Sequence, residues 1–171
     1  MRKIAVRNPD TYTLKRCELF AQFSAQTSQD EYARRNQVNL EKIKSDIYQG
    51  KIAEFMVATY YTKLGKKVSL PDLEIYGKYS KSFDADLVIN GTNVHVKSCA
   101  ANPRWSPSWV FQKNDKVTRG ETDDWLCLVV LDEGCGGWFS VYPAKSLKFK
   151  PPRLEYLRDT KTCLYWDDLK G

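Results

Sequence analysis

An Asn90-Gly91 pair between two β-rich runs constrains the fold of this chain more than any other feature. The runs cover residues 84–89, which end in Leu-Val-Ile, and residues 92–98, in which Val94 and Val96 alternate with polar residues. Asn-Gly readily adopts the positive φ angles of a two-residue turn, which joins antiparallel strands. The sequence therefore predicts a β-hairpin with its turn at this pair.

The hairpin gathers polar side chains on one face in either register that the turn allows. If Asn90 and Gly91 are the central residues, Asp86 lies opposite His95; if the turn shifts by one residue, Asp86 lies opposite Lys97. The polar face carries Asp84, Asp86, His95 and Lys97, and the other face carries Leu87, Ile89, Val94 and Val96. A solvated polar face would explain this pattern, but His95 is the only histidine in the chain.

The remaining elements indicate an α/β domain. Helical spacing predicts one helix over about 10–25 and a long one over about 39–64, ending at Gly65. The nearly continuous apolar run at 125–131 is typical of a strand buried on both faces, so we expect it in the centre of the sheet. Further expected elements are extended pieces at 68–70 and 73–76, a polar loop at 77–82, a strand at 138–142 and a helical turn at 143–147. Together they predict a sheet of about five strands with one crossover and the long helix packed on it.

The length of 171 residues indicates a single domain. We expect it to span 1–171, with an N-terminal helical segment over about 1–38 and a core over about 39–145. No run approaches the roughly 20 apolar residues of a membrane span, and the first residues lack the apolar part of a signal peptide. The five cysteines form no CxxC pair, which favours reduced thiols. We therefore expect a cytoplasmic protein without a membrane partner.

The net charge of +6 favours a polyanionic partner. The positive residues are spread along the chain in small clusters, which indicates a cationic face of a folded domain. DNA is the partner that we expect.

Residues 51–98 resemble the PD-(D/E)XK nuclease superfamily. Its pattern is a glutamate on a helix, an aspartate in a hairpin, and an acidic residue, any residue and a lysine on the next strand. Glu54 in Gly-Lys-Ile-Ala-Glu resembles the first part, Asp86 the second, and His95-Val96-Lys97 the third. His95 departs from the pattern, because it replaces the usual acidic residue and removes one negative charge.

The resemblance implies a restriction endonuclease-like core, with a central mixed sheet of about five strands flanked by helices. It implies a catalytic set of Glu54, Asp86, His95 and Lys97, in which the first three bind Mg²⁺ or Mn²⁺ and Asp84 is a possible auxiliary residue. Such a protein is a DNA endonuclease that hydrolyses phosphodiester bonds, of the restriction or homing or phage type acting on duplex DNA. Alternatives are a Holliday-junction or branched-DNA resolvase and an inactive nucleic-acid-binding domain. One small active site also implies a homodimer if both strands are cut.

Glu54 admits two interpretations. A helix glutamate usually faces solvent, and Lys51 at i−3 is available as an ion-pair partner. However, Glu54 shares its helical face with Ile47, Gly50 and Ala58, and an unpaired buried carboxylate is costly unless it meets a metal or another cation.

Five residues are candidates for DNA contacts: Arg104, Trp105, Gln112, Lys113 and Lys116. Arg104 and Trp105 stand in a Pro-flanked loop that is suited to a DNA groove. Gln112 is equally well explained as a surface residue, and Trp105 and Trp109 as core anchors.

A cysteine hydrolase using Cys99 with His95 is a competing interpretation. These residues are four apart on one strand, roughly 13 Å along it, so direct proton transfer between them is implausible.

Overall fold

The computed structural model describes residues 2–27, 33, 38–75, 85–134 and 136–169. The two predicted long helices are confirmed as α1 (Thr11–Thr27) and α2 (Leu40–Lys63). Each has an N-terminal cap, because Asp10 Oδ1 accepts the Thr13 N–H at 2.8 Å and Asn39 Oδ1 accepts the Lys42 N–H at 3.0 Å. None of the helices in these ranges is long and apolar enough to cross a membrane.

The described residues contain seven strands. They are β1 (Ile4–Val6), β2 (Leu87–Ile89), β3 (Thr92–Ala100), β4 (Ser108–Gln112), β5 (Trp125–Asp132), β6 (Gly136–Pro143) and β7 (Lys161–Tyr165). Five form one sheet in the order β1-β6-β5-β3-β2, in which only β3 and β5 run parallel. The predicted α/β fold with a mixed five-stranded sheet is therefore confirmed, and the apolar strand β5 lies at its centre.

The hairpin has the first of the two predicted registers. Ile89 pairs with Thr92 and Leu87 with Val94, so Asn90 and Gly91 are the central residues. Their φ angles of 49° and 83° lie in the left-handed region that this turn requires.

Two apolar cores lie on the two faces of the sheet. On one face α2 packs through Ala53, Val57 and Ala58 against the apolar side of the hairpin and the middle strands. The other face is covered by a two-stranded sheet of β4 and β7, which contributes Trp109, Phe111 and Leu164. The Trp109 indole N–H donates to the Val129 carbonyl at 3.0 Å and ties the small sheet to β5.

Two expectations differ from the structure. The extended piece at 73–75 is not a strand, because Asp72 Oδ1 accepts the Glu74 N–H at 2.8 Å and closes a local turn. The long helices cover only one face, since the other carries β4, β7 and the one-turn helix α3 (Trp166–Leu169). Packed structure thus extends beyond residue 145. The loop predicted at 77–82, residue 76 and Asp84 lie outside the described residues.

Short 3-10 turns complete the fold at Ala144–Ser146 and Glu155–Leu157. The first confirms the helical turn predicted after β6. It is seated by the Ala144 N–H, which donates to the Asp124 carbonyl at 2.9 Å.

Candidate active site

An open cavity of about 490 Å³ lies beside the hairpin, on the face of the sheet that the small sheet covers. Asp86, His95 and Lys97 line it from the hairpin. The segment after β4 lines it with Asn114, Asp115 and Lys116, and the side chains of Phe111, Val117 and Leu126 add an apolar part to the wall. The structure thus brings three of the four predicted catalytic residues around one space.

Asp86 lies where β2 begins. Its Oδ2 accepts the backbone N–H of Val96 at 2.7 Å, two residues beyond the last β2–β3 pair at Val94. The carboxylate therefore takes the place of a main-chain partner and holds the two strands together at the cavity. This bond also fixes the position of the carboxylate.

His95 is held by a carboxylate that the sequence interpretation missed. Its Nε2 lies 2.9 Å from Asp124 Oδ2, and both side chains are largely buried. Asp124 also accepts from Asn93 Nδ2 at 3.2 Å, and Lys116 Nζ lies 3.9 Å from it. His95 is therefore anchored to the loop that enters β5.

Lys97 is two residues further along β3, and its side chain points to the same face. Its Nζ lies 5.5 Å from the centre of the Phe111 ring, a distance at which a cation–π attraction is effective. Phe111 thus supports the ammonium group at the cavity wall, while Lys97 as a whole is exposed.

Glu54 is buried, with 6% of its surface exposed, but it does not line the cavity. Lys51 Nζ lies 2.7 Å from Oε2 and 3.0 Å from Oε1, so Lys51 is the side-chain partner of Glu54 that the sequence suggested. Burial raises the pKa of Glu54 to about 8 in spite of Lys51, and the negative charge of Asp86 adds to the rise. The charge of Asp86 therefore affects the pKa of Glu54, although Glu54 lies on the face of the sheet that α2 covers.

The side chains around the cavity can supply only some of the ligands that a metal ion needs. Within the described residues, no three His, Cys, Asp or Glu side chains lie close enough to hold an ion together. Magnesium, however, is commonly held by one or two carboxylates, with water and substrate phosphates as its remaining ligands. Asp86 and His95 fit the protein's share of such a site, whereas both oxygens of Glu54 are engaged by Lys51.

The predicted DNA contacts fall into two groups. Lys116 lines the cavity, and Lys113, which directly precedes the lining residue Asn114, is exposed and donates its backbone N–H to the Thr160 carbonyl at 2.9 Å. Gln112 is half-buried at the end of β4. Arg104 and Trp105 follow the far end of β3, and Trp105 is 67% exposed. Trp109, by contrast, is a core anchor.

The described cysteines do not support a thiol nucleophile. Cys17, Cys99, Cys127 and Cys163 carry no disulfide. Burial raises the pKa of Cys99 to about 12, so its thiolate is scarce at neutral pH. The cysteine hydrolase interpretation therefore has no activated nucleophile at this position.

Asp124, the partner of His95 that was not predicted, has one indication in the sequence. It directly precedes the apolar run of β5. Only the parallel pairing of Val94 with Trp125 brings it beside Asn93 and His95, and a parallel register cannot be counted from a turn. Hairpin residues were therefore predictable from local pattern, whereas this partner, 29 residues away in sequence, was not.

The resemblance to PD-(D/E)XK nucleases stays an expectation from the order and spacing of a few residues. The helix glutamate, the hairpin aspartate and the strand lysine stand at Glu54, Asp86 and Lys97. Comparison of this chain with protein-family models, with curated proteins and with solved structures finds no match.

Proposed function

We propose that this protein is a divalent-metal-dependent DNA endonuclease with a restriction endonuclease-like core of the PD-(D/E)XK type. The observation that carries the proposal is the shared cavity of Asp86, His95 and Lys97. A carboxylate, an imidazole and an ammonium group around one open space combine ion-binding and charge-stabilising groups, as phosphodiester hydrolysis requires.

Asp86 and His95 are the residues that would hold Mg²⁺ or Mn²⁺. When bound, the ion would act as a Lewis acid that polarises the phosphoryl oxygen. Asp86 is suited to this role because the Val96 N–H fixes its carboxylate in place. Glu54 remains a candidate ligand, since a cation that replaced Lys51 would stabilise its buried charge.

Lys97 is the residue that we assign to the reacting groups. Its ammonium group lies at the cavity wall beside Phe111 and is a three-proton donor. It can orient the attacking water and stabilise the negative charge that grows on the phosphate oxygens.

The substrate class follows from charge. The net charge is +6, Lys116 lines the cavity, and the exposed Lys113 directly precedes the lining residue Asn114. Cations at this position are suited to the phosphates that flank a scissile bond. Arg104 and Trp105, at the other end of β3, and Gln112 are proposed as additional DNA contacts. A homodimer would supply the second site for cutting both strands.

The proposal is tested by the cleavage of supercoiled plasmid with Mg²⁺, Mn²⁺ or EDTA. The wild-type protein should nick the plasmid only with a divalent ion, and Lys97→Ala should lower the rate at least ~100-fold, the range of a lost charge-stabilising group. Lys42→Ala is the matched control, because Lys42 is exposed on α2 and pairs only with Asp46 one turn away among the described ion pairs. Equal cleavage by wild type and Lys97→Ala would refute the proposal.

A DNA-binding domain without catalysis is the second candidate. It is favoured by one observation, the Lys51 ammonium that already contacts both carboxyl oxygens of Glu54. Binding of duplex DNA without metal-dependent nicking would support it. A four-way DNA junction assayed beside the plasmid separates a branched-DNA resolvase from a duplex endonuclease.

A further inference from the structure

Asp124 is a largely buried carboxylate in contact with His95, a residue that lines the cavity, and the proposed chemistry has no direct use for it. Its side chain is 12% exposed and is held between β3 and the segment after β4. Oδ2 lies 2.9 Å from His95 Nε2 and 3.9 Å from Lys116 Nζ, and Oδ1 accepts from Asn93 Nδ2 at 3.2 Å. A carboxylate with three such partners has a defined orientation.

The charge of Asp124 decides where the proton of the imidazole lies. Asn93 Nδ2 donates to Oδ1 and the Lys116 ammonium lies near Oδ2, so Asp124 is a carboxylate at neutral pH, and an ionised carboxylate only accepts hydrogen bonds. The 2.9 Å contact then requires a proton on His95 Nε2.

We propose that Asp124 is a positioning residue that holds His95 in the Nε2–H tautomer and leaves Nδ1 as the acceptor of the ring. Nδ1 is then the atom of His95 that is available to an ion or to a proton in the cavity. Metal-binding histidines commonly donate their second ring N–H to a carboxylate in this way. The role of the pair at an ion rests on the proposed function, but the tautomer does not.

A direct test uses the fact that His95 is the only histidine. In protein labelled with 15N-histidine, a long-range 1H–15N NMR spectrum contains one imidazole, so its tautomer is read without assignment. The spectrum is recorded at alkaline pH without metal or DNA. The expected pattern is that of Nε2–H with an unprotonated Nδ1. A ring protonated at Nδ1 alone, or an even mixture of the two tautomers, would overturn the proposal in the wild-type protein itself.

The matched variants are Asp124→Ala and Asp123→Ala. Both remove one carboxylate at adjacent positions, but Asp123 is 92% exposed and pairs with Lys145. In Asp124→Ala the His95 ring should populate both tautomers, whereas Asp123→Ala should keep the wild-type pattern. An unchanged tautomer in folded Asp124→Ala would contradict the proposal; if that variant does not fold, the wild-type spectrum still decides it.

Calorimetric titration with Mn²⁺ separates this proposal from the proposed function. Asp124→Ala should bind Mn²⁺ about 10- to 100-fold more weakly than Asp123→Ala, the usual effect of removing the partner of a ligating histidine. Equal affinities would refute the positioning role at an ion. A wild-type protein that has the Nε2–H tautomer but takes up no ion would refute the metal-dependent function and leave the role of Asp124 in the tautomer intact.

Discussion

At the scale of the residue, the chemistry of the cavity depends on three carboxyl groups whose charge states are set by burial and by one or two neighbouring side chains. Asp86 and Asp124 each accept fixed hydrogen bonds, whereas Glu54 combines burial with a single cation, Lys51. Because a buried carboxylate is costly to ionise, the Glu54–Lys51 pair should be the most pH-sensitive contact near the site.

The pH dependence of stability tests this view of Glu54. Its pKa is raised from 4.5 to about 8, so between these values the folded protein keeps a proton that the unfolded chain loses. The free energy of unfolding should therefore fall as pH rises across this window, by at most ~1.4 kcal/mol per pH unit, and should level off above it. Below pH 4.5 the effect is absent, because both states are protonated.

Glu54→Gln is the variant to compare, since a glutamine cannot ionise. Urea unfolding of metal-free wild type and Glu54→Gln at several pH values should give curves that diverge as pH rises, with the wild type losing more stability. Parallel curves would mean that Glu54 has an ordinary pKa in the folded protein.

At the scale of the element, the hairpin β2–β3 places Asp86, His95 and Lys97 together. Its register was predictable because a two-residue turn fixes every pair beyond it. The helices α1 and α2 were predictable for a similar local reason, since Asp10 and Asn39 cap them. The small sheet of β4 and β7 was not predicted, because its paired residues are at least 49 positions apart in sequence and neither strand has a pattern that identifies its partner.

The turn itself gives a prediction of stability. Gly91 has a φ of 83°, and a side chain there meets no atom within 4 Å, so the cost of Gly91→Ala is a backbone cost alone. Urea unfolding should show a loss of about 1–2 kcal/mol. Gly50→Ala is the control, because Gly50 lies inside α2 with equally open space, and alanine should stabilise a helix interior by roughly 0.5–1 kcal/mol. A neutral Gly91→Ala would show that the turn is not formed as described.

At the scale of the whole molecule, one sheet separates two environments. Glu54 lies with α2 on one face, whereas Lys97 and the cationic segment around Lys113 lie on the other. Sequence pattern predicted the residues but not this separation, since which face a helix covers depends on packing between distant elements. The consequence is that DNA should meet the protein from the side of the small sheet.

The salt dependence of DNA binding tests that orientation. If Lys113 contacts one phosphate, Lys113→Ala should lower the slope of log affinity against log salt by about 0.9, because one fewer counterion is released. The measurement is fluorescence anisotropy with a short duplex in EDTA at several KCl concentrations. Lys42→Ala, on the side of the helices, should keep the wild-type slope. Equal slopes for wild type and Lys113→Ala would mean that Lys113 does not contact the DNA.

The most direct test of a divalent ion at this cavity is a crystal structure of the protein grown with Mn²⁺ and measured for anomalous scattering. The account predicts an anomalous peak in the cavity, bonded to Asp86, and its loss in Asp86→Asn. A protein saturated with Mn²⁺ that shows no peak there, or a peak that Asp86→Asn leaves unchanged, would contradict the account.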